Sequence, residues 1–251
     1  MPEPGVLKRK RRWPKRLLLV ALALLLAAGA ASLAFKRQFV VSRAMAPGLQ
    51  TGDVFAMSRI SYGLSRRSFS AAGHYLPARL WPAPPRRGDV AVVALPRDGR
   101  TEFVLRVIGL PGEKVQLRGG RVYINDVMVE REPAPAPVAV TGSDGKPFSP
   151  PAFIETPPGG ARYTIIETEG AEGRLATTQM FDVPADSYFL LGDNRDNAVD
   201  SRQPEAYGLG FVPLDNFVGR AELVLYSLEA ELSGPAPASR LRWDRVMQRV
   251  R

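Results

Sequence analysis

The chain predicts a mostly β fold: one N-terminal transmembrane helix, then an antiparallel β-rich domain with Pro-rich insertions. Three observations carry that expectation. A single run, residues 17–35, holds nineteen residues without a charge. Beyond it, short apolar or alternating runs are punctuated by turn residues, the pattern of strands in an antiparallel fold. With 23 Gly and 23 Pro among 251 residues, long helices elsewhere have little room.

Taken in order, the first element is the basic segment KRKRRWPKR at 8–16, followed by LLLVALALLLAAGAASLAF at 17–35. At about 1.5 Å per residue, the apolar run matches the roughly 30 Å of a bilayer core. The positive-inside rule then places residues 1–16 in the cytoplasm and sends everything after Lys36 across the membrane. A cleaved secretory signal is the alternative, since the run ends in small residues. Signal-peptide cores are only about 7 to 15 residues long, which favours an uncleaved anchor.

Strands are expected at 90–95, 102–110, 114–117, 121–124, 163–167, 187–191 and 221–226. Turns are marked by Pro96-Arg97-Asp98-Gly99, Pro111-Gly112, Gly119-Gly120 and Asn125-Asp126, the last three predicting a hairpin meander over 102–130. Residues 64–87 and 131–161 are Pro-rich and read as surface insertions or lids, their proline density arguing against a central strand. The terminal SRLRWDRVMQRVR reads as a short basic amphipathic helix at the membrane face or as a frayed tail. The expected organisation is therefore 1–16 basic segment, 17–35 transmembrane helix, 36–230 exported domain and 231–251 basic C-terminal tail.

The formal charge of +9 suggests nucleic acid as a partner until it is divided along the chain. Residues 1–16 hold seven basic side chains and Glu3, +6; residues 240–251 hold five arginines and Asp244, +4; residues 36–239 hold 22 basic and 23 acidic, −1. Charge confined to the two ends reports membrane orientation, and no nucleic-acid partner is expected. There is no cysteine, which excludes disulfides and thiol nucleophiles, and one histidine, His74, in a Pro-rich insertion beside Tyr75. No metal and no cofactor are expected.

Four ordered segments identify a family. Ser42-Arg43-Ala44-Met45-Ala46-Pro47-Gly48-Leu49 precedes Thr51-Gly52-Asp53; Arg87-Gly88-Asp89-Val90 follows; then Phe103-Val104-Leu105-Arg106-Val107-Ile108-Gly109 with Leu110-Pro111-Gly112-Glu113; then GDNRDNAVDSR at 192–202. Together they resemble the boxes of bacterial type I signal peptidases, membrane-anchored Ser/Lys endopeptidases that remove signal peptides from exported preproteins. The fourth box agrees with the family pattern at ten of eleven positions. The resemblance implies a single-pass protein of the bacterial inner membrane, its main domain periplasmic or extracytoplasmic.

Three departures fall at the reactive positions. Ala44 stands where the family has its serine nucleophile, Leu105 where it has the lysine base, and Ala198 where it has the serine that orients that lysine. Alanine offers no nucleophile and leucine accepts no proton. A lone lysine left in an apolar pocket is costly, so Leu105 and Ala198 read as a coherent refilling of the site. Lys36, Lys114 and Lys146 lie away from the base position, and Ser42, two residues from the nucleophile's place, would misplace an attack by several ångströms.

Other positions are retained. Ser42, Met45 and Pro47 resemble residues of the family's oxyanion and substrate groove, where a signal-peptide tail lies as an added strand. Asp193, Asn194, Arg195, Asp196, Asp200 and Arg202 resemble the scaffold behind the dyad, where charge-assisted pairs would pin a turn; the arginines compete with any metal for those carboxylates. The expected function is a non-catalytic homologue binding signal-peptide-like segments or a partner such as an active paralogue. The rivals are an active or inactivated signal peptidase, and a scaffold that binds no peptide.

Overall fold

A computed structural model describes residues 13–68, 79–142, 146–230 and 239–251. His74 and most of the basic segment 1–16 lie outside the described residues. The apolar run forms α1, Trp13–Ala34, with its leucines unburied by the rest of the chain and enough length and hydropathy to cross a membrane. It is the one α-helix among the described residues.

The chain passes from α1 directly into β1 (Phe35–Phe39) and β2 (Asp53–Ser58), then β3 (Val90–Ala94) and β4 (Glu102–Gly109). Next come β5 (Lys114–Arg118), β6 (Arg121–Ile124), β7 (Val127–Met128), β8 (Glu130–Pro133), β9 (Val140–Thr141) and β10 (Pro147–Phe148). The remainder is β11 (Ala152–Thr156), β12 (Tyr163–Ile166), β13 (Phe181–Asp182), β14 (Ser187–Leu191), β15 (Val212–Pro213), β16 (Phe217–Ala230), β17 (Ser239–Leu241) and β18 (Gln248–Arg249). Every expected strand is present, with 121–124 and 187–191 matching residue for residue. Among strands of five residues or more, β1, β2 and β11 were not anticipated.

The main sheet runs β1-β2-β16-β3-β4-β14-β15 and is antiparallel throughout. Register shifts along β16, at Phe217/Gly219, Ala221/Leu223 and Val224/Tyr226, curl it, as bulges increase local twist. Curling encloses a core built around the wholly buried β3, with Leu49, Phe55, Leu105 and Phe217. A second core, including Ile108, Leu117, Ile165 and Phe189, lies under the sheets β13-β5-β6-β7 and β12-β11-β8.

Three expectations need correction. The meander is confined to β5-β6-β7, closed by Gly119-Gly120 and Asn125-Asp126 at positive φ; Pro111-Gly112 instead carries the chain from one sheet to another, since β4 pairs with β3 and β14. The 131–161 segment contains a central strand after all. Its prolines flank β11 at 150–151 and 157–158, leaving AFIET free to hydrogen-bond on both edges, and Pro133 sits on β8 at the sheet's edge.

The C-terminal segment is neither an amphipathic α-helix nor a frayed tail. β18 pairs with Leu223 and Val224 of β16, on the edge that β3 vacates beyond Arg220, and Arg245 is buried against Asp53 at 2.5 and 2.9 Å. Basic residues that read as a membrane-facing tail include a structural ion pair, which hydropathy patterning does not reveal.

Gly52 shows how tightly this end is closed. Its φ is +90, and a Cβ there would overlap the carbonyl of Leu228. Gly52→Ala is expected to destabilise the domain by roughly 2 kcal/mol or more, read as a lowered Tm.

Candidate functional site

The four boxes converge on one wall of the main sheet. The first forms a tight loop between β1 and β2: Val40 N–H donates to the Asp53 carbonyl (2.9 Å), Gly52 N–H to that of Val40 (3.0 Å), and Leu49 N–H to that of Met45 (2.8 Å). The fourth box holds this loop from outside. Asn194 donates from its backbone to the Ala44 carbonyl (3.0 Å) and from Nδ2 to that of Arg43 (3.2 Å).

Arg106 ties the boxes together. Its side chain on β4 grips Asp193 with Nε and Nη2 at 2.7 and 2.6 Å, donates to the Gly88 carbonyl of the second box (2.7 Å) and to the Arg251 carbonyl (2.8 Å). Both partners are fully buried. Burial pushes the Asp193 carboxyl up from the usual aspartate range, against the pull of Arg106. For Arg106 burial works against the charge, and Asp193 outweighs it, so the guanidinium is held more firmly protonated.

The remaining fourth-box charges are satisfied in turn. Asp200 accepts from Arg202 (2.9 and 2.8 Å) and from Gly192 N–H (3.1 Å). Arg195 reaches out of the box to Glu155 on β11 (2.9 and 2.5 Å), and Tyr163 O–H donates to the same carboxylate (3.0 Å) while its ring lies 4.1 Å from the Arg106 guanidinium carbon. Burial raises the Tyr163 phenol well above its usual value, so it stays a donor. Asp196 accepts from the Thr168 and Glu169 backbones (2.7 and 2.9 Å). Charge-assisted pairing was expected within the box; only Asp200 and Arg202 pair inside it. Arg106, Glu155 and Tyr163 were missed as its partners. Arg106 lay in plain view beside Leu105, whereas Glu155 carried no signal in a Pro-rich stretch.

Ala44 and Ala198 both border Gly192, and Leu105 belongs to the main core. Ala198 is buried with its methyl against Gly192: a Cβ on Gly192 would overlap that methyl and come 2.7 Å from the Ala44 carbonyl. Leu105 is 0% exposed in the core cluster that also holds Met45, the neighbour of Ala44. Ser42 is exposed, its Oγ accepting from Ala44 N–H at 3.1 Å, and Pro47 is half-buried. Beside them the sheet is open. β14 pairs β4 only from Arg106 onward and β1 is the outer strand, so Glu102 to Leu105 present an edge toward β1, bridged by Gln38 Nε2 donating to Glu102 (2.6 Å). Phe39 and Val41, at and just beyond the end of β1, are 69% and 85% exposed.

An apolar helix leads into a curled antiparallel sheet with the sequence boxes gathered on one wall, which makes this a helix-fronted antiparallel β domain. The family model described as signal peptidase, peptidase S26, matches residues 12–226. Among curated relatives, the chain is 36% identical over 182 residues to the signal peptidase I of Rickettsia prowazekii (strain Madrid E), covering 70% of this chain and 66% of that protein's length. It is 32% identical over 225 residues to the signal peptidase I of Rickettsia bellii (strain OSU 85-389), covering 86% and 73%. A crystal structure of a signal peptidase I from Enterococcus faecalis V583 is 25% identical, covers 55% of this chain and 97% of that one, and superposes with a TM-score of 0.31. The chain belongs to the signal peptidase I family.

Proposed function

We propose that this chain is a membrane-anchored, non-catalytic member of its family that binds signal-peptide-like segments of exported preproteins. One observation carries the reading: where a nucleophile, a base and its orienting hydroxyl would stand, Ala44, Leu105 and Ala198 supply only carbon, and Leu105 is sealed in the core. An unpaired lysine there would cost several kcal/mol unless neutral, so the leucine suits a site relieved of chemistry. The open edge of β4 opposite β1 supports binding, because an extended peptide with small side chains can add there as a strand. In this reading α1 is an uncleaved single-pass anchor, the amino terminus is cytoplasmic and the β domain extracytoplasmic. An active paralogue is the natural partner of a groove that holds a signal peptide without cutting it.

The test is a peptidase assay on the detergent-solubilised full chain with an Ala-x-Ala preprotein. A rate roughly 10⁴-fold or more below that of a dyad-bearing relative is expected, in line with loss of a serine-protease nucleophile or base. Cleavage at a comparable rate would overturn the reading. A signal peptide should also raise the Tm of the full chain, and a scaffold without a groove would show no shift.

A further inference from the structure

Where α1 meets the sheet there is a groove of about 1310 Å³ that none of the four boxes uses. Its floor is apolar: Ala31 and Phe35 from the helix end and β1, Leu223 and Leu225 from β16, and Val250. Its rim is basic. Lys36, Arg37, Arg162, Arg249 and Arg251 face it, with Glu222 as the one acidic side chain in the lining, itself engaged by Arg220 (2.9 Å). Lys36 and Arg162 have acidic neighbours in Glu102 and Glu132. The guanidinium groups of Arg37, Arg249 and Arg251 have no carboxylate partner among the described residues.

Position decides what such a groove can hold. The groove begins at the carboxyl end of the apolar helix, the level at which a spanning helix leaves hydrocarbon for headgroups. There an amphiphile meets apolar surface on one side and cations on the other. We propose that this groove binds an anionic phospholipid, its phosphodiester held by Arg37, Arg249 and Arg251 and an acyl chain laid over Phe35 and Leu223. Guanidinium groups suit phosphate, which they grip bidentately, and charge complementarity selects an anionic over a zwitterionic headgroup. β18 then has a second role. By pairing with Leu223 and Val224 it carries Arg249 to the rim, so the C-terminal basic residues reach the membrane through a strand.

This rests on the anchor reading above, and the experiment separates the two. The full chain is reconstituted in phosphatidylcholine bilayers with a trace of spin-labelled phosphatidylglycerol or spin-labelled phosphatidylcholine, and the motionally restricted fraction of each probe is measured. A preference for phosphatidylglycerol of roughly fivefold is expected, falling to near unity in Arg37→Gln/Arg249→Gln/Arg251→Gln, since each cation near an anionic surface contributes on that scale. The matching Lys variant should retain most of it, and Arg118→Gln/Arg121→Gln, on the remote β5-β6 hairpin, all of it. A melting curve for each variant shows that it is folded.

Equal restriction of both probes by the wild type would overturn the groove while leaving the anchor intact. No restricted lipid of either kind would overturn both. Displacement of the labelled lipid by millimolar inorganic phosphate would assign the cations to a free anion instead and overturn the lipid.

Discussion

Ala44→Ser combined with Leu105→Lys is expected to leave preprotein cleavage weak or undetectable, and Ala198→Ser added to the pair is expected to raise it by orders of magnitude. A lysine at 105 would enter a wholly buried position of the main core, opposite Ala91 on β3. Burial alone lowers the lysine's pKa, which a base requires, but a flexible amine in an apolar core also needs a hydrogen-bond partner to aim it. The family pattern puts that partner at Ala198, whose methyl lies against Gly192 near the Ala44 carbonyl. Effects of groups acting as a unit are strongly non-additive, so single restorations are expected to stay roughly 10⁴-fold or more below a working enzyme. Full activity from Ala44→Ser alone, in the same preprotein assay, would mean that another base exists and would overturn the argument. Leu105→Lys alone should lower the Tm markedly, with an unpartnered amine in the core.

Asp193→Ala is expected to be the most damaging single truncation of the site wall. Arg106 would stay fully buried with its charge uncompensated, and breaking such pairs costs about 3–5 kcal/mol. The loss should spread, because the same guanidinium holds the Gly88 and Arg251 carbonyls and stacks on Tyr163. Arg106→Met/Asp193→Ala should therefore cost less than the two single changes added together, as charge and counter-charge leave at once. Urea unfolding of the four members of this cycle measures the coupling. A coupling below about 0.5 kcal/mol would show that the pair is incidental to the wall.

Much of the domain was legible because its signals are local. Alternation and turn residues located β4, β5, β6 and β14 to within a residue or two, and the uncharged run located α1. β1 escaped because Lys36-Arg37-Gln38 carries no apolar alternation; the strand is held by register against β2 and by Gln38 on Glu102. β11 escaped because its flanking prolines dominate the composition, although their position outside AFIET is what lets it be central. At the site, the reading of Ala44, Leu105 and Ala198 rests on motif spacing alone. The partners of the retained charges could not be read that way: Glu155 lies 40 residues from Arg195, and Arg106 lies 87 from Asp193. Pairing across such separations is decided by sheet topology, which residue type alone does not encode.

The ion pair between Asp53 and Arg245 spans 192 positions of sequence, and β18 occupies an edge of β16 that β3 leaves bare. Loop-closure entropy makes contacts of such separation late events. Until residues 239–251 have been made, Asp53 lacks both of its arginines, Arg242 and Arg245, and Arg106 lacks one of its acceptors. The order of synthesis thus becomes an order of assembly: the helix is available to a membrane first, the second core next, and the wall bearing Ala44 and Leu105 is locked last.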